Sequence, residues 1–393
     1  MPSRILVANI GSTSFKYRLF GMEPLSVLGQ GRVERIGEPG SACLNYEAAI
    51  QSCLDDIVGA GKPLAKLAEL SAVGFKAVHA GPISGAHLVN QEVLAAMEEF
   101  SFFAPAHNPP YLAAMRAFGK IRPELPLVAL FETAFFDTLD EAAITYAVPY
   151  SWKQQDGVRR YGFHGASHRA ASERAQELLG RTDLRHICCH LGGSSSMAAI
   201  RSGLAVDCSF GMSPQSGLPH NNRVGDLDAF AILYMMKKHS LSVDRMASIL
   251  ASESGLAGIA GGSGDVRDLS LAAESGDARA QLALDVFLRA IRHYLGAFLV
   301  TLGGVDVLTF SGGIGENSAW VREQVCKGLE TFGIELDAKR NRGARLEQKI
   351  SSDQSAVTIL ILPADEERIV ARATAAVIGG LGSRAAAPTR NPA

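Results

Sequence analysis

Ile5-Leu-Val-Ala-Asn9-Ile-Gly11-Ser12-Thr13-Ser14-Phe-Lys16-Tyr-Arg-Leu-Phe20 returns in altered form as Ile187-Cys-Cys-His190-Leu-Gly192-Gly193-Ser194-Ser195-Ser196-Met-Ala-Ala-Ile200. Each copy runs apolar, passes through a polar residue, glycine and a cluster of hydroxyls, and runs apolar again. That pattern predicts two strands joined by a tight Gly/Ser turn. Backbone N–H groups and hydroxyls converging in such a turn suit phosphate oxygens, because they donate hydrogen bonds without bulk. A single bend of this kind is ordinarily only a turn. Its repetition points to two related domains holding a polyphosphate.

Composition sets the bounds. At 393 residues the chain has room for two domains, each with its own core. Its 47% apolar and 20% charged content is that of an ordinary globular protein. A net charge of −2 gives no reason to expect nucleic acid as a partner. No apolar run approaches the ~18 residues of a membrane span, so no membrane is expected either. Met-Pro-Ser-Arg leads into a predicted strand without a signal-peptide pattern. Six cysteines in so long a chain make no disulfide framework. Cys188 and Cys189, neighbours in a predicted strand, are expected on opposite faces as reduced core residues. The expected location is cytoplasmic.

Strands and helices alternate, which is the α/β pattern. Leu127–Phe131, Val305–Phe310 and Val357–Leu362 are short apolar runs suited to central strands covered on both faces. Gln281–Leu302 carries a long apolar stripe at helical spacing. Ser167–Leu179, stopping at Gly180, Asp226–His239 and Ala319–Phe332 are further predicted helices. Gly255–Asp268 is Gly-rich and reads as a loop, and Arg384–Ala393 as a disordered tail. The three apolar strands lead into Glu132-Thr133, into Ser311-Gly312-Gly313-Ile314-Gly315-Glu316-Asn317, and into Pro363-Ala364-Asp365-Glu366-Glu367. Open α/β sheets bind ligands beyond the carboxyl ends of their strands, so a candidate site lies there, beside the hairpins.

Other motifs each admit two readings. The glycines after Ser311 either permit a loop turn or let a flat base approach the backbone; the segment lacks the Lys-Ser/Thr of a P-loop. Tyr161-Gly-Phe163-His164-Gly165-Ala-Ser167-His168 sets His164 between glycines before a helix, poorly placed for packing and well placed to donate to an anion. His168, one turn on, reads as a cap or core residue, and no Cys/His spacing fits zinc. Pro105-Ala106-His107-Asn108-Pro109-Pro110 is either a rigid ligand-orienting loop or a connector. Arg223 in Gly217–Asp226 is either a surface arginine or a fork aimed at a transferring phosphoryl.

In combination, Asn9–Lys16, His107–Pro110, Tyr161–His168 and Gly312–Ser318 resemble the acetokinases, the acetate, propionate and butyrate kinases of the acetate/sugar kinase, Hsp70 and actin superfamily. The resemblance runs from about Arg4 to Ile378. It implies an α/β fold of two duplicated actin-like (ribonuclease H-like) domains with a nucleotide cleft between them: 1–136 completed by a returning helix at 369–383, and 137–368. It implies reversible, Mg2+-dependent transfer of the ATP γ-phosphoryl to a short carboxylic acid, and a homodimer formed through the second domain. The helix Gln281–Leu302 is then either the dimer contact or a buried core helix. By the same resemblance, Asn9 and Glu366 would serve the metal, and Asn9, Ser12, Ser14 and Lys16 the phosphate end of the first hairpin. His190, Gly192 and Gly193 would lie along the nucleotide phosphates. Asp265, Val266, Arg267, Gly313, Ile314, Gly315 and Asn317 would frame adenine and ribose. His164 and Arg223 would hold the phosphoryl in flight, with His107 and Glu132 in support. Lys76, Val78, Ala106, Phe163 and Pro214 would contact the acid.

Four positions depart from the family pattern. Lys76 stands for an arginine, Glu132 for an aspartate, Gly193-Ser194 for Asn-Gly, and Ala106 for leucine. Lysine keeps the charge and loses the bidentate fork. Glutamate reaches one methylene further, and ~1 Å of misplacement can cost about a hundredfold in rate. Ser194 would have to replace the asparagine donor. Ala106 removes bulk from the expected acyl pocket, which suits an acid longer than acetate. The sequence leaves three readings: a carboxylate kinase for a larger acid, an ordinary acetate or propionate kinase, and a nucleotide-binding regulator that has lost phosphoryl transfer. Retention of His164, Arg223, Asn9 and Glu366 speaks against the last.

Overall fold

The two predicted hairpins are present as β1 (Arg4–Ile10) with β2 (Ser14–Met22), and β7 (Arg185–His190) with β8 (Ser196–Arg201). The structure, a computed structural model, describes residues 3–11, 13–38, 41 and 43–385, with side chains to 380. Ser12, and the tail from 386 onward, lie outside the described residues. The chain divides into two units, one running to Ala134 and resuming at Asp365, the other Phe135–Ala364.

The first unit adds β3 (Leu25–Glu34), β4 (Ala72–Ala77), β5 (Ala86–Leu88) and β6 (Leu127–Phe131), in the sheet order β3-β2-β1-β4-β6-β5. The second adds β9 (Leu204–Cys208), β10 (Val307–Ser311), β11 (Gln348–Lys349) and β12 (Thr358–Ile361), in the order β11-β12-β10-β7-β8-β9. Numbered within its own unit, each sheet reads 3-2-1-4-6-5. The antiparallel hairpin and the parallel pairs fall at the same places in both. The repeat seen in the sequence is therefore a duplicated fold of two actin-like α/β domains.

Local chemistry explains the central elements. β6 and β10 are buried along their whole length, as continuous apolar runs covered on both faces must be. Cys188 and Cys189 fall in different clusters of the second core, one on each face of the sheet, and both are free thiols. The helix Ala278–Leu302 starts at Asp277, whose side chain accepts from Arg279 and Ala280 N–H, and ends at Gly303 in the left-handed conformation. Its stripe, including Phe287, Ile291, Leu295 and Phe298, is buried in the core. One face of this helix is therefore core, while Leu282 and Val300 stay exposed on the remainder.

Two segments differ from expectation. Gly255–Asp268 is not a loop: it contains the helix Gly255–Ala260 and the start of Val266–Glu274. Its glycines end one helix (Gly261, φ 79°) and lead into the next, which Asp265 caps. In the first unit, the helix Glu366–Ala385 packs on β4 so closely that a Cβ on Gly74 would collide with Thr374 Oγ1. Residues 365–368, assigned to the second domain by resemblance, thus sit with the first unit, and the helix delivers Glu366 beside Lys76 of β4.

Candidate active site

The turn between β7 and β8 is held by its own hydroxyl: Gly192 N–H donates to Ser195 Oγ at 3.2 Å, and Ser195 Oγ donates to Gly192 O at 2.9 Å. The chain at 220–221 adds two bonds, Ser195 N–H to His220 Nδ1 at 2.9 Å and Asn221 N–H to Gly193 O at 3.1 Å. Ile314 and Gly315 N–H both donate to Leu191 O, at 2.8 and 3.0 Å. A Cβ on Gly312 (φ 75°) would stand 2.6 Å from that same oxygen. This glycine is thus required by a chain crossing. The Gly-rich segment is itself a short helix, Gly312–Asn317. Glu316 and Arg322, to which the sequence reading gave no role, brace it. Glu316 Oε1 accepts from Gly312 and Ala364 N–H, and the buried Arg322 donates to the Gly315 and Glu316 carbonyls.

A cavity of about 630 Å3 opens among these elements, a size suited to a small ligand. Gly192, Gly193, Gly313, Ile314 and Asn317 line it, together with Asp265, Val266 and Arg267. Asn221, Phe287 and Trp320 also line it and were not anticipated. Gly315 is buried and serves the Leu191 crossing, and His190 belongs to the imidazole cluster described next. Asp265 accepts from Arg267 N–H at 2.8 Å and pairs with its guanidinium at 2.7 Å, which holds the Asp265 carboxyl below the usual range. Ser194 Oγ is shut off from solvent and has no hydrogen-bond partner among the described residues.

His164 caps the helix Gly165–Leu179 in the left-handed conformation (φ 59°), which turns its ring onto His190 (centroids 4.3 Å apart) and Phe210 (5.2 Å). Phe210 stacks on His220 and meets the buried Phe163 edge-on. His164 Nδ1 lies 2.8 Å from Ser196 Oγ, and His190 Nδ1 lies 2.7 Å from Ser167 Oγ. Burial drives the His168 and His220 pKa values well below the ordinary histidine value, so both are neutral at pH 7. Arg223 donates from Nη1 to the carbonyl of the buried Pro214 at 2.9 Å. Burial pushes its pKa down to about 10, which leaves it cationic at neutral pH. Among the described residues no carboxylate pairs with it. A half-buried cation with no carboxylate beside it among the described residues is the electrostatic condition for an anion site.

The first unit holds a cluster of opposite character. Lys76 Nζ donates to Glu366 Oε2 at 2.7 Å and stands 3.9 Å from Glu132 Oε1. Glu132 is only 3% exposed. Burial works against the lysine charge, but Glu366 and Glu132 outweigh it and hold the ammonium well above its usual range. Asn9 Nδ2 lies 3.4 Å from Glu367 Oε1, and Tyr111, buried, accepts from Ile10 N–H at 3.0 Å. Arg18, which the sequence reading passed over, lies 3.5 Å from Asp365 and 3.7 Å from Glu367. Lys16 is exposed opposite Asn9 in the β1–β2 ladder, and Ser14 O closes the turn on Gly11 N–H at 2.8 Å. His107 precedes the helix Asn108–Ile121. Asn108 is structural, donating to the His79 and Met97 carbonyls at 2.7 and 2.8 Å. Val78 is buried and Ala106 exposed.

A sequence profile of the Acetokinase family matches residues 4–372. The chain belongs to the acetokinase family. The acetate kinase of Carboxydothermus hydrogenoformans is 40% identical over 391 residues, covering 94% of this chain and 98% of the relative. The crystal structure of Porphyromonas gingivalis acetate kinase superposes with a TM-score of 0.86 at 38% identity, covering 96% of this chain and all of that one. A propionate kinase from Francisella tularensis superposes at 0.87 with 31% identity, covering 94% and 98%. As an acetokinase the chain is a phosphotransferase with a carboxyl group as acceptor. Among the described residues no helix is long and apolar enough to cross a membrane.

Proposed function

We propose that the chain is an ATP- and Mg2+-dependent carboxylate kinase whose preferred acid is larger than acetate. The observation that carries the phosphotransfer reading is Arg223, a half-buried guanidinium with no carboxylate partner among the described residues, in the same unit as a nucleotide-sized cavity. The reaction balances without a free proton. A carboxylate oxygen bonds to the γ-phosphorus as the bond from that phosphorus to the β–γ bridging oxygen breaks, giving an acyl phosphate and ADP. No strong base is needed; positioning and charge neutralisation do the work.

Arg223 and His164 hold the equatorial oxygens. The Gly192–Gly193 turn takes the nucleotide phosphates, and the cavity takes adenine and ribose. Lys76 holds the acid's carboxylate, while Glu132 and His107 fix its surroundings. Glu366 and Asn9 offer the hard oxygen donors that suit Mg2+, which keeps waters and draws further ligands from phosphate. That economy accords with there being no group of three or more metal-ligating side chains among the described residues. When bound, Mg2+ neutralises charge on the phosphoryl oxygens.

The larger acid is supported by Ala106 and by the Lys76–Glu132 pair, which alter the acceptor end together. Hydroxylamine trapping with MgATP across a panel of carboxylates tests it. Hydroxamate should form with higher kcat/KM from propionate or longer acids than from acetate. Hydroxamate from acetate alone contradicts the larger acid, and none from any acid favours the regulator reading.

We place the enzyme in the cytoplasm, on its six unpaired cysteines, and assign it a homodimer. The contact suited to a second copy is the helix Ala229–His239, none of whose residues is buried and whose Phe230 is 78% exposed. Phe230→Glu should halve the mass measured by sedimentation. An unchanged mass, or a wild-type monomer, removes this contact.

A further inference from the structure

Ser196 Oγ stands between two imidazoles, 2.8 Å from His164 Nδ1 and 2.8 Å from His168 Nε2. A hydroxyl has one hydrogen and two acceptor sites. Ser196 is buried and no third partner is described for its Oγ, so in the neutral cluster its hydrogen goes to one ring while the oxygen accepts from the other. The far end of His168 decides which. Its Nδ1 is buried with no hydrogen-bond partner, and the residue is fully enclosed. A hydrogen on that nitrogen would be an orphaned buried donor, the rarer and costlier defect, whereas a bare nitrogen there forgoes only an acceptor. His168 therefore carries its hydrogen on Nε2 and donates it to Ser196 Oγ. The Ser196 hydrogen then points to His164 Nδ1, and neutral His164 must carry its own hydrogen on Nε2.

We infer that His168 and Ser196 are positioning residues that fix His164 in its Nε2–H tautomer, so that it meets a phosphoryl oxygen as a donor and not as a lone pair. The backbone supports the arrangement. His164 and His168 sit one turn apart at the start of a single helix, and His168 N–H donates to His164 O at 3.0 Å. Ser196 opens β8, next to the phosphate turn. The left-handed conformation at His164 then has a purpose: it aims Nδ1 at Ser196. The value of the tautomer rests on the proposed role of His164, but the tautomer itself does not.

Imidazole 15N shifts of the full-length protein at pH 8, with the His164 signals assigned from a His164→Gln variant, read the tautomer directly. The expected spectrum has His164 Nδ1 bare and Nε2 protonated. Ser196→Ala should mix the two tautomers and lower kcat roughly tenfold with KM for ATP little changed. Ser196→Thr, which keeps the hydroxyl, and His168→Gln, whose amide N–H can replace Nε2–H, should each retain the wild-type tautomer and kcat. A wild-type His164 protonated on Nδ1 overturns the inference without any variant. So does a tautomer unmoved by Ser196→Ala. A tautomer that shifts while turnover is unchanged upholds the relay and removes His164 from the phosphoryl site.

Discussion

Arg223→Ala should lose turnover by about a thousandfold or more while still binding MgADP, because an arginine on a transferring phosphoryl contributes most in the transition state. Its surroundings separate this effect from a folding defect. The only partner described for the guanidinium is the Pro214 carbonyl, so removing the side chain strands no buried carboxylate and leaves one acceptor short of a donor. Steady-state kinetics beside calorimetric titration of MgADP would check it: kcat collapses and the ADP Kd stays within a few-fold. Arg223→Lys should fall between, since lysine restores charge without the planar fork. Activity within tenfold of wild type in Arg223→Ala would take the residue out of the reaction.

Lys76→Ala should act on both stability and catalysis. Lys76 neutralises Glu366 at 2.7 Å and faces the buried Glu132 at 3.9 Å. Breaking a buried ion pair by deleting one partner typically costs about 3–5 kcal/mol, because the remaining charge is uncompensated. A lower thermal midpoint and a large rise in KM for the acid are expected together. Lys76→Arg and Glu132→Asp give the finer test. Each alone alters the reach between cation and carboxylate, so the pair should be coupled, by about 0.5–3 kcal/mol in a double-mutant cycle on kcat/KM. Glu132→Asp should also shift preference toward acetate. Additive effects with unchanged selectivity would show that the altered pair does not set substrate choice.

What the sequence carried well were features written in local patterns. The apolar-glycine-hydroxyl runs at 5–20 and 187–200 gave both hairpins, and the stripe of Phe287, Ile291 and Phe298 gave the long helix. The shared 3-2-1-4-6-5 order could not be read, because β5 and β11 are only three and two residues long and the parallel pairs β1–β4, β4–β6, β7–β10 and β10–β12 join segments far apart in the sequence. Gly255–Asp268 misled because glycine marks a helix end as readily as a loop. The contacts of Arg18 with Asp365 and Glu367 link ends of the chain that no local signal joins. The bridge from His168 through Ser196 to His164 was half visible, as two histidines one turn apart, but its serine comes from another strand.

The most direct test of the account is a crystal structure of the protein with Mg2+ and a non-hydrolysable ATP analogue. The account predicts adenine in the cavity lined by Asp265, Val266, Arg267 and Gly313, phosphates along Gly192 and Gly193, and the terminal phosphorus within hydrogen-bonding reach of Arg223 and His164. A nucleotide bound elsewhere, or a terminal phosphate remote from both side chains, would contradict it.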